Sequence, residues 1–162
     1  MIKKKKGEQE VERKLEYGVK KEGNKLIIEI EKGSKKDKKL IKTTAAHIRN
    51  MISGLEKRFV YKLQICSVHF PMNVSVSGNE VIIKNFLGER KERKAKILPG
   101  VEVKVEGDTV IVESCDKEKA GQTAANIEQA TKIKKRDRRI FQDGIFIIEK
   151  EKGRRKKKQE GK

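Results

Sequence analysis

Three times along the chain a glycine is followed by Asn or Asp, one variable residue and three β-formers: Gly23-Asn24-Lys25-Leu26-Ile27-Ile28, Gly78-Asn79-Glu80-Val81-Ile82-Ile83 and Gly107-Asp108-Thr109-Val110-Ile111-Val112. Gly-Asn and Gly-Asp tolerate positive φ, so each reads as a tight turn feeding a strand. Ahead of the second turn Val74 and Val76 alternate with Ser75 and Ser77, and ahead of the third Val101, Val103 and Val105 alternate with Glu102 and Lys104. A period of two means sheets with one buried face, and turns this short mean antiparallel pairing.

Two helices accompany the strands. In the first, Thr43 or Thr44 can cap the N-terminus, and Ala45, Ile48, Ile52 and Leu55 fall on one face at steps of three and four. In the second, Ala120, Ala124, Ile127 and Ala130 or Thr131 are spaced likewise. Thr44-Ala45-Ala46-His47-Ile48 corresponds to Thr123-Ala124-Ala125-Asn126-Ile127, 79 residues on, and the turns at Gly23 and Gly107 repeat at 84. Agreement of helix and strand at nearby offsets points to duplication of a small αβ module. The expected fold is α+β: two duplicated small domains, each an antiparallel sheet packed on one helix, with basic disordered termini. The expected divisions are a basic arm over 1–12, a first module over 13–70, a second over 71–149 and a basic tail over 150–162.

Only 35% of the 162 residues are apolar, so any core is small. The formal charge is +18 and the pI is about 9.9, above the ~9 that marks a nucleic-acid footprint. Among polyanions, a membrane surface calls for an apolar amphipathic face or a lipidation signal, and the sequence offers neither. Aromatic residues make up 4% with no Trp, little material for stacking single-stranded bases, which favours phosphate and shape recognition of folded RNA. Lys3 to Lys6 are followed by Gly7-Glu8-Gln9-Glu10 rather than an apolar stretch, and no apolar run exceeds Ile145 to Ile148. A soluble, cytoplasmic protein is expected, with Cys66 and Cys115 as reduced core residues and the Asn73-Val74-Ser75 acceptor unused.

Nothing in the sequence spells an enzyme. There is no phosphate loop and no nucleophile elbow, and His47 and His69 have no suggestive neighbours in sequence. Cys66 and His69 have half of a zinc spacing without a second close pair, so neither a metal nor a cofactor is expected.

The informative charge lies just after the second helix. Lys132, Lys134, Lys135, Arg136, Arg138 and Arg139 are six cations within eight residues. Complementing a helix dipole accounts for one or two of them. A second run, Arg90, Lys91, Arg93 and Lys94, sits where a hairpin connection is expected, and Arg154, Arg155, Lys156, Lys157 and Lys158 form a third. Such runs repel themselves until a polyanion neutralises them. All three are candidate RNA contacts. A free-standing RNA chaperone would use the same charge, but it would not be stoichiometric with rRNA.

The stretch from Asp116 to Thr131, continuing to Phe141-Gln142-Asp143-Gly144-Ile145, closely resembles the C-terminal domain of the large-subunit ribosomal protein six family, called protein nine in eukaryotes. His47-Ile48-Arg49-Asn50-Met51-Ile52-x-Gly54, Phe59-x-Tyr61-Lys62, His69-Phe70-Pro71-Met72-Asn73-Val74, Asn85-Phe86-Leu87-Gly88-Glu89 and Pro99-Gly100-Val101 look like its archaeal and eukaryotic branch. The resemblance implies two duplicated αβ domains and a non-catalytic role. It also implies binding to large-subunit rRNA near the stalk base and the sarcin–ricin loop, beside neighbouring ribosomal proteins and close to where translational GTPases dock. The family's first domain opens with a hairpin carrying Gly-Pro-x-Gly, which residues 1–22 lack, so that domain is expected to be reduced.

Overall fold

The computed structural model describes residues 2–6, 9–13, 19–22, 25–28 and 33–150. The chain divides into two units, Met1–Lys57 and Arg58–Lys162.

The first unit contains two antiparallel hairpins and a long helix. Strand β1 (Ile2–Lys6) pairs with β2 (Gln9–Arg13), and β3 (Val19–Glu22) with β4 (Lys25–Ile28). The N-terminal basic run, expected as a disordered arm, is thus a strand. In that register Lys3 is the partner of Glu12 and Lys5 of Glu10. The expected Gly23-Asn24 turn lies outside the described residues, but Glu22 and Lys25 on either side are partners.

Helix α1 runs over Lys35–Glu56 and begins well before Thr43. Ser34 caps it, its side chain accepting from Asp37 N while the Asp37 carboxylate accepts from Ser34 N at 2.8 Å. This capping box is a stronger start signal than a lone threonine. The lysine-rich first turns carry few apolar residues, so periodicity does not reveal them. Thr43 lies mid-helix, its hydroxyl donating to Lys39 O at 3.0 Å. Thr44, Ile48, Met51, Gly54 and Leu55 are the buried positions, while Ala45 and Ile52 lie at the margin of that face.

The second unit holds a four-stranded antiparallel sheet in the order β11-β5-β10-β9 and a three-stranded one, β6-β7-β8. Strands β5 (Phe59–Cys66), β6 (Asn73–Ser77), β7 (Glu80–Lys84) and β8 (Arg93–Lys96) come before β9 (Glu102–Glu106) and β10 (Thr109–Ser114). Helix α2 (Lys117–Ala130) follows, then β11 (Gly144–Lys150). The two expected hairpins are present, with Ser77 opposite Glu80 and Glu106 opposite Thr109, and with Gly78 and Gly107 at φ +56° and +55°. The boundary differs from the one expected between 70 and 71. β5 hydrogen-bonds to β10 and β11, so residues 59–66 stand in the second unit.

Strict alternation on β5 buries Phe59, Tyr61 and Leu63. They join Val110 and Val112 of β10, Ile145 of β11, and Val81 and Ile83 of β7 in one core. Helix α2 covers it with Ala120, Ala124 and Ile127, all fully buried. Gly121 lets it come close, since a Cβ there would stand 3.2 Å from the Tyr61 hydroxyl. Asp116 caps α2 by accepting from Glu118 N at 2.9 Å. Leu98 N donates to Thr123 Oγ1, and Asn126 Nδ2 donates to Lys96 O, tying the β8 end of the three-stranded sheet to the helix. The whole is a mixed α+β fold with antiparallel sheets.

Candidate nucleic-acid interface

The segment joining α2 to β11 carries the six clustered cations, and both of its ends are fixed. At the first end Thr131 is buried. Its hydroxyl donates to Glu128 O at 3.1 Å and accepts from Ile145 N at 2.9 Å, pinning the helix end to the first turn of β11. At the far end Asp143 is 1% exposed. Its Oδ1 accepts from Val68 N at 2.6 Å and from His69 N at 2.9 Å, and its Oδ2 lies 2.7 Å from His69 Nδ1. Burial pushes this carboxyl up, but the hydrogen bonds from His69 and Val68 outweigh it and hold the pKa below the ordinary 3.8.

Between those anchors the backbone is shaped locally. Asp137 Oδ1 accepts from Arg139 N at 2.9 Å, and Asp137 O accepts from Phe141 N at 3.0 Å, closing a tight turn. The Arg136 guanidinium lies 4.9 Å from the centre of the Phe141 ring, which in turn packs against His69 with centroids 4.9 Å apart. Lys132, Lys134, Lys135, Arg136, Arg138 and Arg139 are all exposed.

The distribution of ion pairs separates this loop from the rest of the surface. On the sheets Arg58 pairs with Glu102, Lys62 with Glu149, Lys84 with Glu92 and Lys94 with Glu80. Among the described residues no carboxylate pairs with any of the six loop cations. The loop, hydrogen-bonded at both ends, presents six exposed cations that make no ion pair among the described residues, and so a positive potential that attracts polyanions.

The second basic run divides by role. Arg90 and Lys91 are exposed in the connection before β8. Lys94 shares its charge with Glu80 at 3.4 Å. Arg93 commits its guanidinium to the fold. Nε and Nη2 donate to the two Glu89 oxygens at 2.9 and 2.7 Å, and Nη1 donates to Ala130 O at 2.9 Å and Lys132 O at 3.2 Å. Its carbon stands 4.2 Å from the Phe86 ring centre. The Arg93 hydrogen bond is the main cause of the lowered Glu89 pKa, with Arg136 adding to it. Arg93 thereby ties the two basic runs together. Arg93, Lys94 and Lys134 line one cleft of about 300 Å³ with Gln129 and Ala130. Arg154 to Lys158 lie outside the described residues.

Sequence reasoning found the cations but missed what holds them. His69, set aside for want of a neighbour, contacts Asp143 from 74 positions away. No group of three or more His, Cys, Asp or Glu side chains among the described residues is arranged to hold a metal ion. No helix among them is long and apolar enough to cross a membrane.

Comparison with known proteins bears on the same region. Residues 70–144 match the model of the family described as Ribosomal protein L6. The chain is 54% identical over 132 residues to the large ribosomal subunit protein uL6 of Methanococcus vannielii, which covers 82% of this chain and 72% of that protein.

Proposed function

Because the chain belongs to the ribosomal protein L6 family, whose members are structural rather than catalytic, we propose that its 132–139 loop is a docking surface for large-subunit rRNA. The observation that carries this reading is that, among the described residues, no carboxylate forms an ion pair with the six exposed cations on a loop anchored by Thr131 and Asp143. Lysine and arginine there neutralise phosphates and release counterions. If all six engage, affinity falls by roughly four to five log units per tenfold rise in salt. Arg90 and Lys91 extend the contact from the neighbouring connection, and Arg154 to Lys158 supply further cations for phosphates.

In this reading the protein sits near the stalk base and sarcin–ricin loop, in the factor-binding region, with other large-subunit proteins as neighbours and translational GTPases close by. The protein acts there as a cytoplasmic scaffold that shapes RNA, with no reaction of its own. The repeat from Thr44 to Ile48 and Thr123 to Ile127 supports an origin by duplication. Thr44 and Ile48 are buried on α1 as Thr123 and Ile127 are on α2, and each helix is followed by a strand.

Gradient sedimentation of lysate containing a tagged copy tests the assignment. Stoichiometric migration with the large subunit that survives a high-salt wash and is lost after RNase is expected. Migration at the top of the gradient contradicts it.

A further inference from the structure

The low aromatic content argues against base stacking, yet the few aromatic rings are unevenly placed. Of the five phenylalanines, Phe59 and Phe86 are core residues. Phe141 and Phe146 instead line a cleft of about 690 Å³ where the basic loop meets β5 and β11. Ile133, Val68, Gln142 and Arg138 share its walls. Phe146 is 40% exposed and Val68 is 70% exposed, so this apolar surface is left outside the core. The Phe146 ring rests over Gly144, where a Cβ would stand 2.9 Å from the ring edge. The glycine makes that ring position possible.

We propose that this cleft receives one unstacked nucleobase of the RNA whose phosphates the loop contacts, an inference that rests on the RNA-docking reading above. The volume lies within the range of sites that enclose small molecules and accommodates a nucleoside. A base matches the lining: a flat apolar face for the exposed Phe146 ring, and a polar edge for the Gln142 amide, which can both donate and accept. The charge decides between occupants. An apolar side chain from a neighbouring protein gains nothing from cations, whereas a nucleotide brings a phosphate to Arg138 at the wall and to Lys132, which lines the same cleft. Phosphate contacts thus set the register of the RNA and the cleft fixes one nucleotide.

The test is the affinity of the full chain for protein-free large-subunit rRNA across a salt series, with Phe146→Ala, Phe146→Leu and Phe146→Trp. Loss of base stacking lowers affinity about tenfold without changing the slope against salt, because the number of phosphates is the same. Ala and Leu are expected to show that parallel loss, and Trp to restore binding. Unchanged affinity of Phe146→Ala overturns the proposal, and so does restoration by Leu as complete as by Trp, which indicates plain apolar packing. Failure of the underlying reading is distinguishable, since then reversing the loop cations leaves the salt slope unaltered, whatever Phe146 does.

Discussion

The buried carboxylate of Asp143 holds the imidazole of His69 at 2.7 Å and the backbone amides of Val68 and His69 at 2.6 and 2.9 Å. One side chain at the end of the basic loop therefore fixes the strand-end segment after β5, and Phe141 is clasped between His69 and Arg136.

Asp143→Asn leaves an oxygen for the Val68 and His69 amides but removes the negative charge that strengthens those bonds, and its NH2 is satisfied only where His69 Nδ1 accepts. Stability falls by about 1–3 kcal/mol, read from a denaturant midpoint. The pH dependence follows from the lowered pKa. Asp143 contributes fully above its ordinary value of 3.8, and the contribution is lost as pH falls through the lower folded value. The wild type therefore shows a loss of stability below about pH 4 to which Asp143 contributes, and Asp143→Asn lacks that contribution. Parallel acid limbs in the two proteins count against this role.

Arg93 offers a separation of charge from geometry. Arg93→Lys retains the cation but not the planar fork that reaches Glu89 and the carbonyls of Ala130 and Lys132 together. Stability is expected to fall by about 1–3 kcal/mol, while the salt slope of RNA binding stays as in the wild type. A changed slope with unchanged stability makes Arg93 an RNA ligand instead.

Gly107 isolates backbone strain. Its φ is +55° and no atom lies within 4 Å of the position a Cβ would take, so Gly107→Ala adds no clash. The left-handed conformation alone costs about 1 kcal/mol. Thermal unfolding that is unaltered by the substitution means the turn has relaxed.

What the sequence made legible was mostly local. The turns at Gly78 and Gly107 and the Ala120, Ala124, Ile127 face of α2 each follow from neighbours a few residues apart. The start of α1 at Ser34 was equally local and was overlooked because Thr43 and Thr44 adjoin the apolar periodicity, whereas Ser34 opens a lysine-rich turn. That Lys3 to Lys6 lie in a strand depends on pairing with Gln9–Arg13, a register no single segment displays. The loop cations were visible as composition. Their anchors were not, since Asp143 with His69 and Arg93 with Ala130 depend on contacts across 74 and 37 positions. The same holds for Phe141 and Phe146, whose shared cleft exists only once β5 and β11 are paired.

The most direct test of RNA docking through the 132–139 loop is incorporation of a variant with Lys134, Lys135, Arg136, Arg138 and Arg139 all changed to Glu. A circular dichroism spectrum and a melting transition establish that it folds, and gradient fractions report how much of it joins the large subunit. A folded variant left at the top of the gradient is the predicted result. A folded variant that enters subunits at the wild-type level contradicts the account.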